Sequence, residues 1–560
     1  MTREDFKFIQ LSSLEKVFLD EAPSAKEFEK ISVLKNERFS YQIAYVYDKL
    51  ADRDACKFDF KVSVESPLKD YVKIRFVGNV PVELTHYHHG NDDAYLRKRP
   101  GLFPDSLLEI KSGEIEIIPK LWHSLWITVD TKGEMPAGNY DIDIVFESGD
   151  IRVVKTLKVK VLAASLPKQE TIVANWFHTD CLASLYRVKM YSKKHWEIIE
   201  NFMKCAIENG VNSIYTPLFS IPLDTNPGAK RPACQLVDVT IENGEYILNF
   251  EKLKKWISIF KKHGGDYLAI SHLFSQWGAK FAPRIVATVN GKKKEIFGWH
   301  TPNNSPEYKK FLDKCIPALI KVLKEEGVAD KVYFHISDEP HVETLDSYNV
   351  SKSVVADLIK DFKIVEACSV PEIHQSGAVD YPVVHLPNVD AYLDKGITPF
   401  GTYFCCSSDF EYFCNRFIDM PSYRNRIIGI QMFKYNITML LHFGFNYYFK
   451  RAALGGTAEV INPFFATDAG NAIQGGNGFV VYPGEGGKPV DSLRLDVTFN
   501  AVQDISAMKL LANYIGHDAV VKLIEDYAGM EIKMNKYPMN AEFILGLREK
   551  INEKIEEVAK

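Results

Sequence analysis

The chain has 560 residues, which at roughly 150 per domain allows three or four domains, or two if one is a barrel of about 250 residues. Apolar residues make up 46% and charged residues 25%, a globular balance that excludes a disordered or fibrous chain. With 68 basic against 73 acidic residues and a net charge of −5, there is no electrostatic basis for a nucleic-acid partner.

The sequence opens MTREDFKFIQ, without a basic-then-apolar leader. The longest weakly polar run, Tyr435 to Phe449, contains Asn436, His442 and Asn446. It falls short of the ~20 apolar residues that span a bilayer, so no membrane insertion is expected. Nine cysteines, an odd number with no CxxC pair, suit buried reduced thiols in a reducing compartment. The expectation is a soluble, cytoplasmic protein.

Residues 1–165 read as β. Period-two alternation runs through Phe60 to Glu65, Tyr71 to Val77, Glu114 to Ile118, Leu125 to Val129, Tyr140 to Phe146 and Ile151 to Val161. Turn signals at Pro67, Gly113 and Pro136 to Gly138 separate the runs, the pattern of an antiparallel sandwich. Leu166-Pro167-Lys168 reads as the exit linker.

Beyond it, short apolar runs alternate with helical stretches. The strands expected are Thr171–His178, Val211–Pro217, Tyr267–Phe274, Lys331–Ile336, Lys363–Ser369, Pro382–Pro387, Gly401–Cys406 and Phe445–Lys450. Trp196, Ile199, Phe202, Met203 and Ala206 form one helix face ended by Gly210, and Leu253, Trp256, Ile257 and Phe260 form another ended by Gly264. Phe311, Cys315, Leu319 and Val322 form a third, ended by Gly327. Apolar spacing of three and four with a terminal glycine is the helix signature. Eight strands alternating with helices point to a (β/α)8 TIM-type barrel. The fold class is therefore α/β with an all-β domain: a β-sandwich over 1–165, then a barrel over 166–560 with C-terminal helices packed on its outside.

Barrel chemistry sits at the C-terminal ends of the strands. In the fourth, Val332, Phe334 and Ile336 share the face suited to the helix layer, and Tyr333, His335 and Ser337 share the interior face. Asp338 and Glu339 then fall at the strand end, where Pro340 stops the ladder. Inside a strand, consecutive acids point apart; at its end they can converge. Paired carboxylates at a barrel mouth are the machinery of glycosidic cleavage. Consecutive residues cannot readily straddle a sugar ring as nucleophile and acid. They can serve a mechanism in which the substrate's own 2-acetamido oxygen attacks, with the Asp orienting the amide and the Glu as acid and then base.

At these residues the sequence resembles glycoside hydrolase family 123, the β-N-acetylgalactosaminidases. The resemblance rests on HISDEP (335–340), GTYFCC (401–406), FGFNYYF (443–449), GNGFVVYPG (476–484) and SLRLDVTFNAVQDI (492–505). It implies a retaining, substrate-assisted glycosidase with Asp338 as polariser and Glu339 as acid/base, acting on β-linked N-acetylgalactosamine of glycolipid-type oligosaccharides. No cofactor is expected. A sugar site also needs hydroxyl partners, an aromatic platform and an apolar pocket for the acetyl methyl. Candidates at strand ends and in the following loops are Asn175, Trp176, His178, His272, Trp277, Trp299, His335, Tyr403, Tyr447 and Tyr448. Arg494 either binds substrate or pairs with a barrel carboxylate.

Two clusters read as decoys. His86, His88 and His89 with Asp92 and Asp93 resemble a metal site, but no second ligand set at zinc spacing accompanies them, and no metal is expected. Cys405 and Cys406 have no base that sequence can pair with them and read as buried thiols. The rival readings are a retaining glycosidase with a distant nucleophile, such as Asp409 or Glu411, and a carbohydrate-binding protein that has lost activity.

Overall fold

The computed structural model describes residues 3–50, 57–85, 92–406, 408, 410–450, 456–470 and 472–559. The chain divides into two compact units. Met1–Glu170, Asp409–Tyr435 and Val490–Lys560 form the first; Thr171–Ser408 and Asn436–Pro489 form the second.

The first unit holds two five-stranded sheets. One has the strand order Phe6–Ser12, Arg38–Tyr47, His123–Asp130, Val72–Val82, Gly101–Glu109. The other runs Lys30–Lys35, Ile151–Ser165, Gly138–Ser148, Phe58–Glu65, Glu114–Ile117. Pairing is antiparallel except between Lys30–Lys35 and Ile151–Ser165. The facing sides of the two sheets form the core, where aromatic rings meet: Phe6 on Phe60 at 5.0 Å and Phe8 on Phe146 at 4.5 Å between centroids.

Three C-terminal helices, Leu493–Ile515, His517–Ala528 and Ala541–Val558, belong to this unit. The expected assignment of 166–560 to the barrel therefore differs from the observed grouping, for a visible reason. Leu493 packs with Val77, Leu107 and Trp126 of the first sheet. The Arg548 guanidinium donates to Glu37 at 2.7 Å, and Glu549 accepts from the Ser32 N–H at 2.8 Å.

The second unit is a closed parallel barrel of Ile172–Asn175, Ser213–Thr216, Tyr267–Ile270, Val332–Phe334, Lys363–Ala367, Tyr381–His385, Gly401–Tyr403 and Met439–His442. Ile172 opposite Met439 closes the ring. Seven strands lie within or against the expected runs. The eighth is not Phe445–Lys450 but the Met439–His442 segment just before it, which carries three apolar residues in a row. Residues 445–450 lie outside the barrel ladder, where Asn446 and Phe449 make isolated bridges with Phe479 and Val460. The interior is filled by Ala174, Tyr215, Ala269, Tyr333, Val365, Val383, Tyr403, Met439 and Leu441, among others.

Helices Lys193–Glu208, Glu251–Lys262 and Pro306–Glu325 present the expected apolar faces. Ser192 and Ser305 cap two of them by accepting N–H bonds from His195 and Tyr308. A four-stranded sheet, not anticipated, is built from two hairpins: Asp238–Glu242 with Glu245–Asn249 after the second barrel strand, and Ile285–Val289 with Lys292–Phe297 after the third. Among the described residues no helix is long and apolar enough to cross a membrane.

Candidate active site

The fourth barrel strand behaves as its parity predicts. Tyr333 points inward and its hydroxyl meets the Ser213 hydroxyl at 2.7 Å; Phe334 points outward against Phe362. His335 lies inward, stacked on His272 at 4.6 Å. Past Phe334 the ladder ends, and the segment is held from both sides. The carbonyls of His335, Ile336 and Asp338 accept N–H bonds from Leu273, Phe274 and Trp277 at 3.1, 3.0 and 3.3 Å. On the other side Glu366, a buried carboxylate from strand five, accepts the Ile336 N–H at 2.5 Å and the Ser337 N–H at 3.3 Å. A side chain thus replaces the strand ladder just before the acid pair.

Glu339 then adopts φ 51°, and it precedes a proline, where an extended backbone is the norm. Such strain is sustained only where the surroundings enforce it, and it gathers at functional sites. Here it lets two consecutive carboxylates line one cavity of about 280 Å³. Asp224 and Trp277, also at this cavity, have φ 54° as well.

The acids have neutral partners. The Gln276 amide donates to Asp338 Oδ2 at 2.7 Å, while its oxygen accepts the Asp224 N–H at 2.9 Å, which fixes the amide's orientation. The Tyr403 hydroxyl donates to Glu339 Oε1 at 2.8 Å. Burial, reinforced by the neighbouring Glu339 charge, pushes the Asp338 carboxyl well above the ordinary carboxylate range. The apolar wall is made by Trp176, Ala367, Leu441, Phe443 and Ile473. Tyr447 is set by a close approach of two loops: its N–H donates to the Gly478 carbonyl at 2.9 Å. A Cβ on Gly444 would lie 2.3 Å from that same oxygen, so the glycine is required.

Of the expected site residues, Asp338, Glu339, Trp277, Tyr403 and Tyr447 line this cavity, with Trp176 beside them. The others are placed elsewhere. His335 and His272 fill the barrel interior, their rings 6.0 and 5.2 Å from that of Trp176; burial, with His335 alongside, lowers His272 well below its ordinary value. His178 is buried, its Nε2–H donating to the Phe443 carbonyl at 2.7 Å and its Nδ1 facing Arg231 at 2.9 Å. Burial and that guanidinium lower His178 to about 3, so it stays neutral. Its ring edge supports Tyr447 at 5.3 Å. Asn175 is buried at the end of strand one, opposite His442.

Three expectations need correction. Trp299 donates to the Ala229 carbonyl and lines a separate small cleft. Tyr448 is fully buried, donating to the Val481 carbonyl, because its neighbour Tyr447 takes the cavity side. Arg494 lies in the first unit, where its guanidinium donates to Asp105 at 3.0 Å.

Sequence reasoning missed Asp224 and Gln276, which sit in loops without periodicity, and it misread Cys405 and Cys406. Those thiols are half-buried and line the cavity. His86, His88 and His89 lie outside the described residues; Asp92, beside them in sequence, is bound by Arg424 at 2.7 Å. Of the possible distant nucleophiles, Asp409 lies outside the described residues, and Glu411 is exposed in the first unit. His272, His335 and Glu366 bring donor atoms within 4.8 Å of one another. The two rings stack at 20°, however, so their in-plane lone pairs run side by side instead of converging on a cation.

A closed eight-stranded barrel with consecutive acids and an aromatic-lined cavity at its strand ends is the architecture of a barrel glycosidase. Residues 176–511 match the profile of the glycoside hydrolase 123 catalytic domain. The chain belongs to glycoside hydrolase family 123. No curated protein sequence matches it. Among solved structures it is similar to a family 123 glycoside hydrolase from Clostridium perfringens, described for glycolipid glycan hydrolysis. The TM-score is 0.71 at 14% identity, covering 99% of this chain and 97% of that one. An endo-β-1,4-mannanase from Thermotoga petrophila aligns over 60% of this chain and 77% of that one, at 12% identity and a TM-score of 0.33. A β-glucuronidase from Bacteroides uniformis aligns over 73% and 45%, at 8% identity and 0.26.

Proposed function

We propose that this glycoside hydrolase removes β-linked N-acetylgalactosamine from glycolipid-type oligosaccharides, with retention of configuration, by substrate-assisted catalysis. The observation that carries the reading is the pair Asp338 and Glu339, consecutive in sequence and facing one cavity. Carboxylates so placed flank the same side of a bound sugar and do not straddle it. The attacking group then has to come from the substrate, and a 2-acetamido oxygen can supply it.

Burial and the Glu339 charge favour the protonated form of Asp338 before substrate enters. An acetamide N–H donated to Asp338 stabilises its ionised form, and Glu339 serves as the acid toward the departing glycosidic oxygen. Asp338 then holds the positive charge that grows as the oxazoline-like ring closes, and Glu339 takes a proton from water when the ring opens. The Tyr403 hydroxyl aims Glu339. Ala367, Leu441 and Phe443 offer an apolar seat for the acetyl methyl, and Trp277, 44% exposed, offers a face to the rest of the glycan. The glycolipid character of the substrate rests on the Clostridium perfringens relative. A cytoplasmic location is supported by the absence of disulfides among the described cysteines.

Asp224 at the same cavity gives the rival reading, a separate carboxylate nucleophile, its best-placed group. Epimer preference tests the substrate, and thiazoline inhibition separates the two nucleophiles. Aryl β-N-acetylgalactosaminide should be cleaved faster than its gluco epimer, and an N-acetylgalactosamine thiazoline, which mimics the closed ring, should inhibit competitively. Cleavage without thiazoline inhibition, together with a 2-fluoro sugar trapped on Asp224, would establish the rival instead.

A further inference from the structure

The fold brings two consecutive like residues to the cavity twice, the acids after strand four and a pair of cysteines after strand seven. Strand seven ends at Tyr403. Within a strand Cys405 and Cys406 would point to opposite faces, yet both line the sugar cavity. The Cys405 thiol is hydrogen-bonded to Cys406 and to His385. The Cys406 sulfur accepts from the Asn477 amide at 2.9 Å, and its carbonyl accepts from Gln474 at 2.8 Å. The six other described cysteines, at 181, 205, 234, 315, 368 and 414, are buried, whereas these two are half-buried. Among the described thiols, they alone are open to a reagent that enters the cavity, and they present their sulfurs together.

We propose that Cys405 and Cys406 form a dithiol binding site for trivalent arsenicals, and that its occupation blocks the sugar cavity. An arsenoxide R–As=O condenses with two thiols to give R–As(S–)₂ and water. Two S–H bonds break, two As–S bonds form, and both protons leave on the arsenoxide oxygen, so no oxidant is needed. The contact with Cys406, followed by burial, raises the Cys405 thiol well above its ordinary value. It therefore stays protonated and reacts poorly with reagents that need a thiolate, while condensation with an arsenoxide uses the thiol itself. In a cavity of about 280 Å³ an aryl arsenic group leaves no room for a hexosamine. The loss of activity rests on the cavity being the sugar site; the binding step does not.

The test uses phenylarsine oxide on the full-length chain, read by intact mass and by hydrolysis of an aryl glycoside. The wild type should gain one phenylarsenic group and lose at least ~10-fold of its rate. A dithiol such as 2,3-dimercaptopropanol should restore that rate, while an equal thiol concentration of 2-mercaptoethanol should not. Cys405→Ser and Cys406→Ser should each fail to form the adduct and resist inhibition relative to their own untreated rates. The mass readout stands even if the aryl glycoside is not a substrate. An adduct that persists in both variants, or one that forms on these residues with no loss of rate, would overturn the proposal.

Discussion

Buried charges in the sandwich unit and in the barrel cavity are handled in opposite ways. In the first unit each buried guanidinium of four pairs faces a carboxylate: Arg494 with Asp105, Arg424 with Asp92, Arg426 with Asp504 and Arg548 with Glu37, at 2.7 to 3.0 Å. In the cavity Asp338, Glu339 and Asp224 share one sign, and Asp338 and Glu339 take hydrogen bonds from a neutral amide and a neutral hydroxyl. A buried charge that meets its opposite is committed to the fold. One left beside its own kind, with only neutral donors, keeps its capacity for a ligand. The barrel also holds a charge of the committed kind, Arg231 on Asp180 at 2.7 Å, so the distinction belongs to the site and not to the domain.

The widest gap between the two classes should appear in the rate. Asp338→Asn should lower hydrolysis by about 10²–10⁴-fold, the range for a lost electrostatic or acid–base contribution. Its urea midpoint should not fall, because the substitution relieves a like-charge contact. Asp105→Ala should do the reverse. It strands the Arg494 guanidinium and should cost about 3–5 kcal/mol of stability, while the rate per folded molecule is unchanged. A destabilised Asp338→Asn, or an unaffected Asp105→Ala, would erase the comparison.

The pH dependence follows in the same terms. The Asp338 carboxyl is raised in the folded chain, so between its ordinary and its raised value the native state holds a proton that the unfolded chain has released. In that window the unfolded state binds fewer protons, and stability falls as pH rises. The contribution is fully present below the ordinary carboxylate value and is gone above the raised one. Denaturation curves across that range should show a decline in the wild type that is smaller in Asp338→Asn. The smallest effect belongs to Tyr403→Phe, which removes one hydrogen bond to Glu339. It should cost about tenfold on glycans with poor leaving groups, and less on activated aryl glycosides, whose departure needs little protonation.

What could be read from sequence was whatever follows from periodicity. Three helix faces and seven barrel strands were legible because buried faces repeat at fixed spacing. The parity of strand four is enough to place Tyr333 and His335 inward, where they lie. Strand eight was misplaced because Met439–His442 and the aromatic run after it are equally apolar, and only closure against Ile172 selects the first. Arg38–Tyr47 was missed although Phe39, Tyr41, Ile43, Tyr45 and Tyr47 alternate with smaller or polar residues and line the sandwich core; burial of the other face as well is what the pattern does not reveal. The helix Leu493–Ile515 is buried on most sides, which conceals the element it packs against. Gln276 and Asp224 were invisible for a different reason. Their role depends on one amide that bridges two loops, and no local pattern records such a bridge.

The central claim is that the acetamide of the substrate, held by Asp338, is the nucleophile. A series of aryl β-galactosaminides carrying N-acetyl, N-fluoroacetyl, N-difluoroacetyl and N-trifluoroacetyl groups tests it most directly, because each fluorine withdraws electrons from the attacking oxygen and leaves the glycosidic bond in place. If the acetamide attacks, kcat/KM falls at every step, steeply and without a plateau. A rate that stays level across the series would contradict it and return the nucleophile to the protein.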